Sequence, residues 1–274
     1  MKNIKTMKLY KSSNRFINEY NNLKNIKKGR LNVFDFSSFD NLHYHGEKAV
    51  CYAINKLNIN KDDVVLDIGA GVGGPARIIA YKTKCKVDAI EIQKDLSEIG
   101  ERFSKILGMS KNVNHLNFDF HKKRLKKNHY NHVVCWLSLY HLKDRKKYLR
   151  KVNEILKVRG NFYIEDFYIK NKIDSNIKWK LSNNFFANSL VSKSDFFQGI
   201  EDGNFVINFS KDMTTSWIKF TNKRLKNFLI NKNKYSLIHD KNTLKNLEEF
   251  YSLANYLLNS GALGGVRLNC VKNK

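Results

Sequence analysis

Proline occurs once in 274 residues, at Pro75, and no Gly/Ser-rich linker, internal repeat or composition break interrupts the chain. Without such punctuation there is no ground for a second independent core, and the length suits one α/β domain with an insertion. The four cysteines, Cys51, Cys85, Cys135 and Cys270, stand far apart, with no C-x-x-C pair and no histidine at ligand spacing. That argues against a disulfide framework or a structural metal and for a reducing, cytoplasmic compartment. No apolar run approaches the roughly 20 residues of a membrane span. The basic start Met1-Lys2-Asn3-Ile4-Lys5 is not followed by the hydrophobic segment of a secretory signal. Acidic residues are scarce, 25 against 50 lysines and arginines, for a formal charge of +25. Such an excess invites a nucleic-acid or anionic-membrane partner. Lys and Asn are nevertheless spread through helices and loops alike, which fits a codon bias better than one selected basic face. A nucleic-acid partner is therefore kept open but not favoured.

What the chain does have is a stretch from Asp62 to Glu91. Val64 to Ile68 is a short apolar run broken only by Asp67, as suits a buried parallel strand. Gly69-Ala70-Gly71-Val72-Gly73-Gly74 lets the backbone turn sharply and approach a ligand, and Pro75 fits a first helical turn. A second apolar strand ends at Glu91, where a carboxylate can take two ribose hydroxyls. Strand, glycine loop, helix, strand and acid make a nucleoside-binding unit. Gly69, Gly71 and Gly74 also satisfy the dinucleotide pattern G-x-G-x-x-G. Asp67 tilts the choice: it is awkward in a buried strand unless it fixes the loop or meets a cationic ligand, and it would repel a pyrophosphate.

Along the rest of the chain, residues 1–11 read as a frayed tail and Ser12 to Lys27 as a helix capped by Ser12 or Ser13. The aromatic segment Val33 to Gly46 has no clean period and reads either as loop packing or as a lid, with His43, Tyr44 and Gly46 nearest the site. Glu47 to Leu57 and Lys94 to Leu107 are helices, the second with Leu96, Ile99, Phe103, Ile106 and Leu107 on one side. Asn112 to Asn117 is a third strand, and His121 to His129 a basic, solvated loop. Residues 133–137 form a central strand whose C-terminal end, at Ser138, points Trp136, Tyr140 and His141 toward a ligand. Asp144 caps a helix, and Gly160 to Tyr168 is a fifth strand whose Glu165 and Asp166 either touch substrate or lie exposed. Two helical pieces over residues 171–200 interrupt the alternation. Phe205 to Phe209 is a sixth strand, Thr215 to Ile230 and Thr243 to Asn259 are helices with core aromatics, and Gly261 to Cys270 turns into a last strand, antiparallel beside the sixth.

The run Val65-Leu66-Asp67-Ile68-Gly69-Ala70-Gly71-Val72-Gly73-Gly74-Pro75 closely resembles the first motif of class I S-adenosylmethionine-dependent methyltransferases. The likeness runs from Phe34 to Lys272, most closely to sarcosine/dimethylglycine and related amine methyltransferases and more distantly to phosphoethanolamine methyltransferases. It implies a Rossmann-like, doubly wound sheet of seven mostly parallel strands with an antiparallel last strand. Residues 1–46 would form an N-terminal helical segment and lid, and 47–274 a methyltransferase domain with a lid insertion at about 171–200. The implied cofactor is S-adenosyl-L-methionine, with no metal, and the implied partner a small-molecule methyl acceptor. The cofactor set is Asp67, Gly69, Ala70, Gly71, Gly73, Glu91, Ile92, Asp119, Phe120 and Trp136; Gly69, Gly71 and Gly73 shape the pocket, Asp67 anchors the loop, Glu91 takes the ribose and Asp119 the adenine. Asp119 has an alternative reading as a surface-turn acid. His141, in a pattern similar to the family's fourth motif, is the candidate general base, an imidazole titrating near neutrality; its alternative is a capping or core histidine. Tyr44, Trp136 and Tyr140 would wall an alkylammonium by cation–π contact.

Several rivals have specific expectations. Base-modifying enzymes of the adenine-N6 kind use an Asn/Asp-Pro-Pro-aromatic loop after the fourth strand, where this chain reads Trp136-Leu137-Ser138-Leu139-Tyr140. Cytosine-C5 chemistry needs a Pro-Cys nucleophile and protein arginine methylation a paired-glutamate loop; neither is present. An RNA ribose or guanine methyltransferase, an inactive cofactor-binding scaffold and a nicotinamide dehydrogenase remain as alternatives, separable by salt-dependent RNA retention, by turnover and by NAD binding.

Overall fold

The computed structural model describes residues 4–273, apart from the side chain of Lys5; the basic start at residues 1–3 lies outside them. The N-terminal part holds α1 (Asn14–Ile26), α2 (Val33–Phe36) and α3 (Gly46–Leu57). The alternating part runs β1 (Val64–Ile68), α4 (Gly74–Thr83), β2 (Lys86–Glu91), α5 (Lys94–Ile106), β3 (Val113–Asn117), β4 (Tyr130–Trp136), α6 (Arg145–Ile155) and β5 (Leu156–Ile169). It is followed by α7 (Ser175–Asn183), α8 (Lys193–Asp202), β6 (Phe205–Asp212), α9 (Thr214–Ile230), α10 (Lys232–Tyr235), α11 (Lys241–Asn259) and β7 (Leu263–Lys272).

The seven strands lie in the order β3-β2-β1-β4-β5-β7-β6. β1 pairs in parallel with both β2 and β4, and β7 slots antiparallel between β5 and β6, as expected of the last strand. Chain order reverses between β1 and β4, so a crevice opens at their C-terminal ends, where Asp67 and Trp136 sit.

Strand alternation builds the two faces of the sheet. Leu66, Ile68, Val133 and Cys135 pack with Tyr148, Leu149 and Val152 of α6 on one side. Val65, Val134, Trp136 and Tyr163 pack with Ala53 and Ile54 of α3 and Ile79 of α4 on the other. A third apolar cluster sits apart from these faces and is mostly aromatic. It joins Met7 and Leu9 to Tyr44, Tyr140, Phe167, Phe185, Trp217 and Phe250.

Several local expectations need correction. Residues 4–11 are packed, not frayed: Ile4–Thr6 forms a 3-10 turn, and Met7 and Leu9 are buried in the aromatic cluster. The aromatic segment contains the short α2, held by a capping box between Asn32 and Asp35 that the lack of apolar period concealed. Ser13 precedes α1 but makes no capping hydrogen bond. Ile106 and Leu229 point outward, so the apolar faces of α5 and α9 are narrower than their sequences suggest.

Candidate functional site

The glycine loop after β1 is shaped from both sides. Gly69 has φ +76°, and a Cβ there would stand 2.5 Å from the Ser138 Cβ, so a side chain would meet both backbone strain and a collision. Ser138 itself is fixed, its hydroxyl donating to the Ile68 carbonyl at 2.7 Å. Gly69, Ala70 and Gly71 line a cavity of about 120 Å³. Gly73 does not: its missing Cβ leaves room for the His115 ring, 2.4 Å from where that atom would lie, and for Arg77. Gly73 thus serves the packing behind the loop rather than the pocket.

Glu91, not Asp67, ties the loop down. Its Oε2 accepts from the Gly71 N–H at 2.9 Å and its Oε1 from the Gln93 N–H at 2.8 Å. Asp67 makes no hydrogen bond to the loop; its Oδ2 is fully buried and has no partner among the described residues. Burial, and then the nearby Glu91 carboxylate, push the Asp67 pKa up to about 8. The loop-anchoring role expected of this residue is therefore filled by Glu91.

Across the crevice, β4 ends at Trp136, which lines the same cavity with its indole Nε1 buried and unpartnered. His43 lies against the Trp136 ring, centroids 5.5 Å apart. Leu137 follows with φ +51°, an uncommon conformation for a leucine, held by its N–H donating to the Glu165 carbonyl. The 3-10 turn Leu139–His141 is then suspended from two sides. Asp166 Oδ2 accepts from the Tyr140 N–H at 3.1 Å, and the 186–189 segment bonds to the turn through Asn188 and Ser189. Asp166 is therefore a buried brace, and Glu165 is bound to Arg267 and the Tyr163 hydroxyl. Neither touches the cavity, and neither is exposed.

His141 is buried, and its Nδ1 is 3.0 Å from the Phe186 carbonyl, so the proton is assigned to Nδ1. Nε2 is left with a lone pair, buried and without a partner among the described residues, on a residue that lines the cavity. Burial, offset only partly by the Phe186 contact, lowers its pKa to about 4. The imidazole is thus a neutral acceptor across the physiological range, not a group titrating near neutrality. Tyr44 lines the cavity too, its ring against Trp217 and Phe167 and beneath the Arg224 guanidinium. Its phenol pKa is raised by burial, with Arg224 acting the other way.

Ile92, Asp119 and Phe120 all reach the cavity. Asp119 also realises the turn reading, since its Oδ1 accepts from the His121 N–H at 2.9 Å. Sequence spacing missed Tyr10, Phe185, Arg224 and Phe250, which line the cavity from four separate segments. No local pattern joins them. Only the burial of an N-terminal tail thought to be frayed brings Tyr10 to His141, ring centroids 6.2 Å apart.

A family model described as a methyltransferase domain matches residues 42–197, more than half of the chain. A sterol 24-C-methyltransferase from Saccharomyces cerevisiae is 28% identical over 150 residues, covering 52% of this chain and 38% of its own length. A sarcosine/dimethylglycine N-methyltransferase from Halorhodospira halochloris is 30% identical over 108 residues, covering 39% of each. The chain therefore spans under two fifths of either curated relative. Among solved structures, phosphoethanolamine N-methyltransferase 2 from Haemonchus contortus, in complex with S-adenosyl-L-methionine, superposes with a TM-score of 0.83 at 14% identity. That match covers 99% of this chain and 59% of the other. At such identity the likeness speaks for the fold. The residues present fit that cofactor: a glycine turn at Gly69 with no room for a side chain, a buried carboxylate at Glu91 closing the end of β2, and an orphaned buried carboxylate at Asp67.

Proposed function

Since this chain belongs to the family of S-adenosylmethionine-dependent methyltransferases, we propose that it methylates a small-molecule acceptor, an amine by preference, at the cavity between the glycine loop and His141. The observation that carries this is the Asp67 Oδ2 atom, buried without a partner beside a second carboxylate. Two neighbouring buried acids are a poor site for a pyrophosphate and a good one for a ligand bearing positive charge. S-adenosylmethionine, when bound, supplies an activated methyl group on a positive sulfur.

This chain's own part is to bind, orient and keep water out. Gly69, Ala70 and Gly71 admit the adenosyl group, Glu91 takes the ribose, and Ile92, Asp119 and Phe120 flank the adenine. Asp67 meets the positive end. Trp136, Tyr44 and Tyr140 wall the acceptor, and His141 Nε2 takes a hydrogen bond from its nucleophilic group. A neutral amine attacks without prior deprotonation, so a weakly basic imidazole suffices if it accepts a hydrogen bond from the amine N–H and so orients the lone pair; the methylated ammonium then loses its proton to solvent after release. Residues 1–46 and the insertion at about 171–200 act as lids over this end.

Calorimetry with S-adenosylmethionine, S-adenosylhomocysteine and NAD tests the reading, followed by a methyl-transfer screen over glycine derivatives, phosphorylated amino alcohols and RNA. Saturable binding of the adenosyl ligands and turnover with an amine are expected. Uptake of NAD without S-adenosylhomocysteine would overturn it.

A further inference from the structure

A second cavity, of about 900 Å³, lies beside the first and shares Leu9, Leu42, His43 and Arg224 with it. It is lined by five lysine and arginine side chains against two glutamates. Two of the cations are unusual. Arg15, in the first turn of α1, is 6% exposed, and its Nε and one terminal amino nitrogen are buried without partners. Arg224, from the middle of α9, has its Nε buried without a partner. Among the described residues neither guanidinium forms an ion pair. Arg15 lies over the Phe16 ring at 4.1 Å and Arg224 over Tyr251 at 4.5 Å. Ring faces compensate charge but accept little from in-plane N–H donors, so two Arg15 nitrogens and Arg224 Nε remain open, although Arg224 also hydrogen-bonds the Tyr44 hydroxyl. Glu19 is the carboxylate that acts on Arg15, and its Oε1 is engaged by His239 Nε2 at 2.9 Å. Guanidiniums held out of water with unsatisfied donors are arranged for a ligand that brings the acceptors with it.

We propose that this outer cleft is an oxyanion subsite in which Arg15 and Arg224 hold a phosphate or carboxylate group of the methyl acceptor. The assignment rests on the methyl-transfer reading and narrows it: the acceptor is anionic at one end and reaches past Leu42 and His43 to present its nucleophile to the inner cavity. The cleft is of the volume that whole ligands fill, roughly 300–1,000 Å³. An acceptor larger than a bare glycine derivative therefore fits it.

The test titrates the full-length protein with inorganic phosphate and, separately, with acetate, against sodium chloride at matched ionic strength, following thermal midpoint and tryptophan fluorescence. Saturable binding of either anion, weakened at least tenfold in Arg15→Gln and in Arg224→Gln, supports the subsite. The tighter anion then says which oxyanion the acceptor carries. S-adenosylhomocysteine affinity, measured in parallel, is expected to be unchanged in both variants. If wild-type protein gives no saturable response beyond that of chloride, or both variants bind the anions as well as wild type, the subsite is wrong. Should Arg15→Gln fail to fold, the wild-type titration and Arg224→Gln, at a half-buried position, still decide. Failure of wild-type protein to bind S-adenosylhomocysteine is a separate result that overturns the methyl-transfer reading itself.

Discussion

At the adenosyl end of the cavity, most of the lining comes from residues 64–93, joined by Asp119, Phe120 and Ser138, and apart from Asp67 Oδ2 the polar groups answer one another: Glu91 serves Gly71 and Gln93, Ser138 serves Ile68. At the acceptor end, Tyr10, His141, Phe185 and Arg224 come from four distant segments, and polar atoms are left open at His141 Nε2, Trp136 Nε1 and Arg224 Nε. The first end is built for a ligand shared by the whole family, and one βαβ unit supplies most of it. The second is assembled by tertiary packing of segments distant in sequence. Replacements at the two ends should therefore separate binding from turnover.

The largest effect is expected at the acceptor end. His141→Ala should cut turnover about 10²- to 10⁴-fold, the range for a positioned acid or base. S-adenosylhomocysteine affinity should not change. Because burial holds the wild-type imidazole near a pKa of about 4, the rate should show no histidine limb between pH 5 and 8. Intact turnover in the variant would remove His141 from the chemistry and make the acceptor end a mere wall.

Next comes the joint that brings the N-terminal segment over the sheet. Arg77 and Asp40 are both buried, with Arg77 Nη2 to Asp40 Oδ2 at 2.9 Å. Asp40→Asn strands the guanidinium and should cost about 3–5 kcal/mol, the usual penalty for breaking a buried pair. The denaturant midpoint reads this directly. A change of under about 1 kcal/mol would mean that Arg77 is satisfied by its contacts to Gly100 and Ser104.

This joint also marks where the sequence stops being legible. The β1 loop, the strand end at Glu91, the central strand read over residues 133–137 and the last strand follow from local spacing, because period, glycine and proline act over a few residues. Asp40 and Arg77 sit 37 positions apart and follow no period, so nothing local announces that they pair. The 1–11 tail looked frayed because its polar composition is that of a free end; Met7 and Leu9 are buried only because an aromatic cluster from α9 and α11 awaits them. The pKa of His141 likewise depends on enclosure by the 186–189 segment, which its sequence neighbours do not reveal. Gly73 misled in the opposite sense: it belongs to the motif by spacing and to the packing by geometry.

At the adenosyl end, Asp67→Asn should weaken S-adenosylmethionine binding by about 1.5–3 kcal/mol, the worth of a hydrogen bond to a charged group. A proton count sharpens the point. With its pKa near 8 in the free protein, wild-type Asp67 is mostly protonated at pH 7, and a cationic ligand favours the carboxylate. Binding should therefore release a proton at pH 7, visible as a dependence of the calorimetric enthalpy on buffer ionisation, and should tighten as pH rises toward 8. Stability of the free protein has the opposite sign. The folded pKa lies above the unfolded one, so folded protein holds the proton longer, and this contribution, full below about pH 4, is lost as pH rises through about 8. Asp67→Asn should remove both dependences. If proton release persists in the variant, the open carboxylate is not what meets the charge.

The smallest effect tests whether the adenosyl end really is self-supporting. Ser138→Ala deletes the donor to the Ile68 carbonyl and the contact to Cys135 Sγ at 3.0 Å, but keeps the Cβ that confines Gly69. The expected loss is about 1 kcal/mol of stability, with adenosyl affinity nearly unchanged, because Glu91 still holds Gly71. A large loss of affinity from so small a change would shift control of the loop from Glu91 to Ser138. The end that looks local in sequence would then depend, like the other, on a contact 70 residues away.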